Sequence, residues 1–202
     1  MDLRLKIVLT GGIASGKSSV CKILRTHGFF IIDADDIAHK VLNENTDKIA
    51  AIFGKEYVKN GAADRKKLGK LVFSDKVKKE FLESILHKGI YETIAKEAEN
   101  FEKLKKPYIA DIPLFFEKDG VYKADLVVVV YASKEQQLKR LMERMNLSEK
   151  EAKSRLDAQI DIEIKKQKAD IVIDNSKDSM HLYQEVKKFI DILKEKYAGL
   201  QI

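Results

Sequence analysis

The sequence is poor in cysteine, proline and tryptophan. Its 202 residues contain one cysteine (Cys21), two prolines (Pro107 and Pro113) and no tryptophan. A single cysteine excludes an intramolecular disulfide and agrees with a reducing compartment. A chain of this length buries about 70% of its unfolded surface, so it needs neither a disulfide nor a structural metal in order to fold.

Long apolar runs are also absent. The longest run, from Leu126 to Ala132, is seven residues, whereas a membrane-spanning helix needs about 20. The first residues lack the apolar segment of a signal peptide. We therefore expect a cytoplasmic protein without membrane association.

The charge balance is moderately basic. Lys and Arg number 38 against 32 Asp and Glu, which gives a net charge of +6, and 45% of residues are hydrophobic, which is globular composition. The excess of positive charge suits a polyanionic partner such as nucleotide phosphates, but solubility explains lysine-rich helices equally well. The sequence contains no basic stripe interleaved with aromatic residues, so nucleic acid is not expected as a partner.

Five short apolar runs alternate with amphipathic segments. Because the runs are apolar throughout and do not alternate with polar residues, they predict strands covered on both faces. Helices between such strands predict an α/β fold with a parallel sheet and right-handed crossovers. The runs are Ile7–Thr10, Phe29–Ile32, Tyr108–Ala110, Leu126–Tyr131 and Ile171–Ile173.

Two segments interrupt this alternation. Residues 38–105 lack a strong strand signal and are far longer than a crossover helix requires, so they are interpreted as a helical insertion that binds an acceptor. Residues 138–166 form a second insertion, interpreted as a lid, in which Ser148 and Glu151 predict a capping box at a helix start. The predicted core then comprises residues 1–37, 106–137 and 167–202, and its last helix spans about 179–197.

One motif carries chemistry. Residues 11–18 match G-x-x-x-x-G-K-[ST], with a strand directly before and an amphipathic helix directly after, which is the context of a P-loop. Backbone N–H groups of such a loop surround phosphate oxygens, the lysine contacts the β- and γ-phosphates, and the serine binds Mg²⁺. ATP and Mg²⁺ are therefore the predicted ligands. The predicted phosphate-binding residues are Gly11, Gly12, Ile13, Ala14, Ser15, Gly16, Lys17, Ser18 and Ser19.

The surrounding residues favour one class of P-loop protein. A GTPase would carry D-x-x-G after the third strand, but Asp111–Leu114 contains no glycine, and in Asn175–Asp178 the lysine stands one position late for N-K-x-D. A motor needs more chain than remains outside the core. A kinase of a small molecule explains both insertions, one for the acceptor and one to close over ATP. A kinase of a shikimate-like or nucleoside acceptor and a non-catalytic ATP-binding regulator remain alternatives.

Acidic residues follow two predicted strands. Asp33 and Asp35 follow the second strand, at the sheet edge where α/β proteins bind ligands. We expect Asp35 to act as the base for the acceptor hydroxyl and Asp33 to support the metal ion. Asp36 is expected to cap a helix. Asp111 ends the third strand, where P-loop folds place an acid near the waters of Mg²⁺.

Basic residues are concentrated in the predicted lid. Arg140 and Arg144 lie one helical turn apart, and they are candidates to clamp the triphosphate, with Arg140 acting in transfer. Arg155 and Gln159 are weaker candidates. The Lys165–Lys166 pair is expected to be solvated.

Taken together, these motifs resemble the dephospho-coenzyme A kinase family across nearly the whole chain. The most specific segments are Asp111–Glu117 and Ala169–Asn175. The resemblance extends to Ile32–Asp35 with His39, to Asp64–Arg65 with Leu68 and Val72–Phe73, to Leu86–His87, to Arg140–Leu141 with Arg144, and to Arg155 and Gln159. Three features depart from the family pattern: Lys88 replaces a proline, Ala14 replaces a common glycine, and the pair Met145–Asn146 replaces a more polar, Gly-containing turn.

The resemblance implies a P-loop NTPase three-layer sandwich with a five-stranded parallel sheet, a helical CoA-binding insertion and a lid. It implies transfer of the ATP γ-phosphate to the 3′-hydroxyl of dephospho-CoA, with CoA and ADP as products, and a monomer is expected. It assigns Asp35 as the base, Arg65 and His87 to the acceptor side, and Arg140 and Arg144 to the triphosphate. We also predict that Asn175 binds the nucleotide and that Asp33 and Asp111 bind the acceptor.

Overall fold

The computed structural model describes residues 5–117 and 122–196. The strands are β1 Ile7–Gly11, β2 Phe30–Asp33, β3 Val58–Lys59, β4 Ala62–Ala63, β5 Tyr108–Asp111, β6 Leu126–Tyr131 and β7 Ile171–Asp174. The helices are α1 Lys17–Thr26, α2 Ala34–Glu44, α3 Thr46–Phe53, α4 Arg65–Ser74, α5 Lys76–Lys103, α6 Lys134–Met145, α7 Glu149–Asp157, α8 Ile162–Gln167 and α9 Ser179–Lys196, with a 3₁₀ turn at Lys55–Tyr57.

A five-stranded parallel sheet of order β2-β5-β1-β6-β7 organises the larger part of the described chain. Every residue of β1 is buried, as its continuous apolar run predicts for a central strand. Asp33 pairs in register with Asp111, and Gly11 pairs with Val130. The carboxyl ends of the central strands therefore meet at one edge of the sheet, beside the phosphate-binding motif.

Helices cover both faces of this sheet. On one face, α1 and α9 pack into the main core through residues such as Leu24 and Phe189, which are at most 1% exposed. On the other face, Val129 and Phe116 pack with Ile162 of α8. Since successive residues of β6 face opposite layers, the sheet is the middle of a three-layer sandwich. This arrangement confirms the predicted fold class.

The described chain divides into two compact units. One contains Ala34–Lys96, and the other contains residues up to Asp33 together with those from Glu97 onwards. The unit at Ala34–Lys96 has a small core of its own, which includes Ile49 and Leu68. The functional boundaries predicted at residues 38–105 and 138–166 stay predictions.

Two local features of the 34–96 unit differ from the sequence expectations. A two-residue hairpin joins β3 to β4, with Asn60 and Gly61 both at positive φ (53° and 76°). Asn-Gly is the dipeptide that such a turn prefers, but strands of two residues leave no apolar run to detect. The expectation that Asp36 caps a helix is wrong. Because β2 passes directly into α2 at Ala34, Asp36 lies within the first turn, where its negative charge faces the positive end of the helix dipole.

The segments around the predicted lid are helical. Ser148 and Glu151 form the predicted capping box at the start of α7, and Ser133 and Gln136 form a second box at the start of α6. The last helix, predicted for residues 179–197, is α9, and Tyr197 lies outside the described residues. In the part of the chain that the structure describes, no helix combines the length and apolar character that crossing a bilayer requires.

Candidate active site

The loop between β1 and α1 forms a cradle of backbone groups. Ala14 and Gly16 adopt left-handed conformations, with φ of 59° and 94°, and the Ser15 N–H donates to the Gly12 carbonyl at 3.1 Å. Alternating right- and left-handed residues turn successive N–H groups toward one side, which creates an anion-binding concavity. Lys17 then begins α1, so the positive end of the helix dipole faces the same place.

Glycine is required in this loop because other groups pack directly against its backbone. A Cβ on Gly11 would lie 2.7 Å from the Ser15 Oγ and 2.8 Å from the Val130 carbonyl oxygen. A Cβ on Gly12 would overlap the Gln137 side chain, and one on Gly16 would overlap the amide of Asn175. The loop is therefore closely enclosed by side chains from distant parts of the sequence.

Amide side chains also hold the loop by hydrogen bonds. The Asn175 Nδ2 donates to the Ser15 carbonyl at 2.8 Å, and the backbone N–H of Asn175 donates to the Tyr131 carbonyl at 2.7 Å. The Gln159 Oε1 accepts from the Ile13 N–H at 2.9 Å. The contacts to Ser15 and Ile13 each satisfy a backbone group of the loop.

Lys17 forms an ion pair with Asp111 at the end of β5. The pair is largely removed from water, since 18% of the Lys17 side chain and 6% of the Asp111 side chain are exposed. Burial raises the pKa of the Asp111 carboxyl, and the Lys17 ammonium opposes that shift. The structure therefore brings two predicted site residues into direct contact.

Cys21 belongs to the same cluster. Its Sγ lies 3.4 Å from the second carboxylate oxygen of Asp111 and donates to it. Burial, together with the charge of Asp111, raises the pKa of the Cys21 thiol to about 12. The thiol therefore stays protonated and acts as a hydrogen-bond donor to the carboxylate.

Asp33 and Ser18 complete the polar groups at this end of the sheet. Asp33 lies beside Asp111 in the register of β2 and β5, and the exposed Ser18 lies in the first turn of α1. Across residues 5–117 and 122–196, no group of three or more His, Cys, Asp or Glu forms a metal cage. Mg²⁺ in nucleotide sites uses one or two carboxylates together with phosphates and waters, so Ser18 with Asp33 or Asp111 fits such an ion.

Arg140 and Arg144 share helix α6 but not the same surroundings. The Arg140 Nη2 donates to the Asn175 carbonyl at 2.9 Å, which places its guanidinium next to the loop. Its Nη1 and the Ser15 Oγ are buried and have no hydrogen-bond partner within the described residues. Such donors beside a P-loop fit an anionic ligand. Arg144 is exposed, as is Arg155, whose Nη1 contacts the Met145 sulfur at 3.1 Å.

The predicted acceptor residues Asp35, Arg65 and His87 lie in the 34–96 unit. Asp35 is exposed in the first turn of α2, two residues after Asp33. Arg65 is the exposed first residue of α4, and His87 is half-buried on α5 with its ring centroid 6.1 Å from that of Tyr91. Their predicted roles stay predictions.

The sequence analysis did not identify two residues that contact or enclose the loop. The expectation that Lys165 is solvated is wrong, because its side chain is fully buried, pairs with Glu117 at 2.7 Å and donates to the Gly11 carbonyl at 3.2 Å. Lys165 follows the core residue Ile162 by three positions, which puts both on one face of α8. That spacing was the available signal. Gln137, 2% exposed, donates to the Ala132 carbonyl at 2.8 Å, and only its spacing of four from Leu141 indicated burial.

Several known proteins resemble this chain in sequence and in fold. The family model of dephospho-CoA kinases matches residues 5–181. A dephospho-CoA kinase of Helicobacter pylori is 45% identical, with 96% of this chain and 100% of that protein covered. The structure of a dephospho-CoA kinase from Campylobacter jejuni matches at 38% identity and a TM-score of 0.75, covering 95% of this chain and 98% of that one. A Thermus thermophilus structure matches at 31% identity and a TM-score of 0.82, covering 93% and 96%. The matched span begins two residues before β1 and ends in α9, so it includes the loop, Asp111, Arg140 and Asn175. The chain therefore belongs to the dephospho-CoA kinase family.

Proposed function

We propose that this protein transfers the γ-phosphoryl group of ATP to the 3′-hydroxyl of dephospho-CoA, giving CoA and ADP. The observation that carries the proposal is the family membership over residues 5–181. The geometry of the loop by itself supports phosphoryl transfer from ATP to a small hydroxyl acceptor, and the family specifies which acceptor.

In this proposal the loop binds the triphosphate. The N–H groups of the cradle and the start of α1 surround the phosphate oxygens. Lys17 exchanges part of its contact with Asp111 for the β- and γ-phosphates, and the Arg140 guanidinium, already held by Asn175, adds charge as transfer proceeds. The buried, unpartnered Nη1 of Arg140 supports this role, because such a donor gains most from an anionic partner.

We assign the metal ion to Ser18 and Asp33, with Asp111 close to its waters. Mg²⁺, when bound with ATP, offsets the charge of the β- and γ-phosphates. The exposed hydroxyl of Ser18 and the neighbouring strand ends of Asp33 and Asp111 support the assignment.

The acceptor side is assigned to the helical insertion predicted at residues 38–105, together with Asp35 just before it. Asp35 is the proposed base, because a carboxylate within reach of a ribose hydroxyl orients it and accepts its proton. Its position in the turn directly after β2 supports this role. Arg65 and His87 are proposed to bind the acceptor. A cytoplasmic location and a monomeric state complete the proposal, and size-exclusion chromatography with light scattering tests the second.

The deciding experiment is a panel of acceptors with ATP and Mg²⁺, in which ADP release and the phosphorylated product are both measured. Dephospho-CoA should support turnover, and shikimate and nucleosides should not. Lys17→Met is the matched inactive control for contaminating kinases. Turnover with shikimate or a nucleoside and none with dephospho-CoA would replace the proposal by that alternative. ATP binding without turnover of any acceptor would identify a non-catalytic regulator.

A further inference from the structure

Lys165 is the most deeply buried charged residue at the phosphate-binding loop. Its side chain is 0% exposed, and it lies on α8, 154 positions along the chain from Gly11. Removing an ammonium group from water is costly, and an apolar residue of similar size often stabilises a core equally well or better. The burial of a lysine at this point therefore requires an explanation other than core stability.

The ammonium group of Lys165 has two partners, one of which is a backbone carbonyl of the loop. The Nζ donates to the carbonyl of Gly11 at 3.2 Å and pairs with the Glu117 Oε1 at 2.7 Å. Gly11 is the last residue of β1 and the first of the loop, and a Cβ there would come within 2.8 Å of the Val130 backbone. Lys165 thus holds a carbonyl at the point where the chain turns from the sheet into the cradle.

Glu117 extends the same contact to a second point of the loop. Its Oε1 also accepts from the N–H of Ile160 at 3.0 Å. Gln159, the residue before Ile160, accepts a hydrogen bond from the N–H of Ile13 through its Oε1 at 2.9 Å. The Glu117 carboxylate therefore binds both Lys165, which contacts Gly11, and the segment of Gln159 and Ile160, which contacts Ile13.

We propose that Lys165 and Glu117 are positioning residues for nucleotide binding, which fix the first three residues of the phosphate-binding loop in their binding geometry. They act through Gly11 directly and through Gln159 and Ile160 indirectly. The ligand class that depends on them is a nucleoside triphosphate, and this inference rests on the proposed function only for the identity of that ligand. A misplacement of about 1 Å in such a cradle costs on the order of 100-fold in activity.

The test compares Lys165→Met with the double variant Lys165→Met/Glu117→Gln. The single variant leaves a buried carboxylate without its cation, so it should lower both stability and ATP affinity. The double variant removes both charges, and the glutamine still accepts from Ile160, so its thermal stability should return toward that of the wild type. Its Kd for ATP, measured by titration without acceptor, should remain about 10- to 100-fold weaker. Lys166→Met is the matched control, because Lys166 is exposed and its Nζ lies 4.2 Å from the centroid of the Tyr131 ring.

Hydrogen exchange supplies a readout that does not require activity. Amides of the peptide 11–16 should exchange faster in the double variant, whereas those of 179–190 in α9 should be unchanged. Wild-type ATP affinity and wild-type exchange of 11–16 in the folded double variant would overturn the proposal and leave the pair a structural element only. If the double variant does not fold, Glu117→Gln alone is measured, and unchanged exchange of 11–16 together with unchanged ATP affinity would again overturn it. Acceptor turnover by the wild type is measured separately, so failure of the proposed function and failure of this inference are distinguishable.

Discussion

Replacing Lys17 by methionine separates the structural contribution of this residue from its role in binding. Methionine keeps the length of the side chain and removes its charge, so the carboxylate of Asp111 loses its cation in a site where 6% of that side chain is exposed. Breaking a fully buried ion pair costs about 3–5 kcal/mol. Because Lys17 keeps 18% of its side-chain exposure, we expect a loss of about 2–3 kcal/mol in the free energy of unfolding near pH 8. For a chain of this size that corresponds to a fall in Tm of about 5–10 °C.

We also predict that the stability difference between wild type and Lys17→Met depends on pH, with a sign that follows from the titration of Asp111. Burial raises the pKa of this carboxyl above its usual value, and the Lys17 ammonium opposes the shift, so the pKa rises further when Lys17 is removed. A carboxyl with a raised pKa in the folded state destabilises the fold as pH rises from the unfolded pKa through the folded one. The difference between wild type and Lys17→Met should therefore be small near pH 4 and reach its full size near pH 8.

Thermal and urea unfolding without nucleotide or Mg²⁺ measures this difference, with the exposed Lys22→Met as the matched control on α1. The double variant Lys17→Met/Asp111→Asn removes both charges and should recover most of the stability. Its kcat/KM should nevertheless stay about 10²- to 10⁴-fold low, because the cation at the transferred phosphate is still absent. A Lys17→Met protein as stable as wild type near pH 8 would refute the reasoning about the buried pair. A loss of equal size at both pH values would show that Asp111 does not cause it.

Three further predictions concern the loop and the two sides of the site. Arg140→Ala should lower kcat more than it raises the KM for ATP, whereas the exposed Arg144→Ala should have the smaller effect; a change in KM alone would contradict the transfer role. Asp35→Asn should lower kcat by about 10²–10⁴-fold with ATP affinity unchanged, and Asp33→Asn should shift the Mg²⁺ requirement in a metal titration; rescue of Asp35→Asn by excess Mg²⁺ would contradict the base assignment. Ala14→Gly should stabilise the fold by up to about 1.5 kcal/mol in urea unfolding, because relief of a left-handed alanine (about 1–2 kcal/mol) outweighs the added chain entropy (about 0.4–1 kcal/mol). A loss of stability would show that Ala14 is not strained.

The fold was predictable because its central strands, β1 and β5, are buried on both faces, whereas the edge strand β2 exposes Phe30. Runs such as Ile7–Leu9 and Leu126–Val130 contain no polar residue, so they could be assigned to a parallel sheet without any knowledge of their neighbours. The β3–β4 hairpin was missed because two residues per strand produce no periodicity. Asp36 was misplaced because the direct passage from β2 into α2 leaves no separate capping residue for a local pattern to reveal.

The backbone of the site was predictable, but its supporting contacts were not. The motif of residues 11–18 specifies a strand, a loop and a helix, and all three are present. The ion pair of Lys17 joins residues 94 positions apart, and the Asn175–Ser15 bond joins residues 160 apart. Only the assembled sheet brings such residues together, so no spacing within the sequence encodes these pairs. Lys165 was assigned to solvent because charge is a better general indicator of exposure than a three-residue step from one apolar neighbour.

The motif and its supporting residues have different physical roles in this protein. Glycines allow the loop backbone to curve, but the same freedom gives it many alternative conformations in the absence of contacts. Here Asn175, Gln159 and Lys165 each bind a different backbone group of the loop, and each comes from an element other than β1 and α1. We infer that these contacts favour one conformation of the loop before ligand binds, which would lower the ordering cost of binding a triphosphate. A chain with the same eight-residue motif but without such contacts would match the pattern and still bind nucleotide weakly, so these distant side chains are as much a part of the binding site as the motif is.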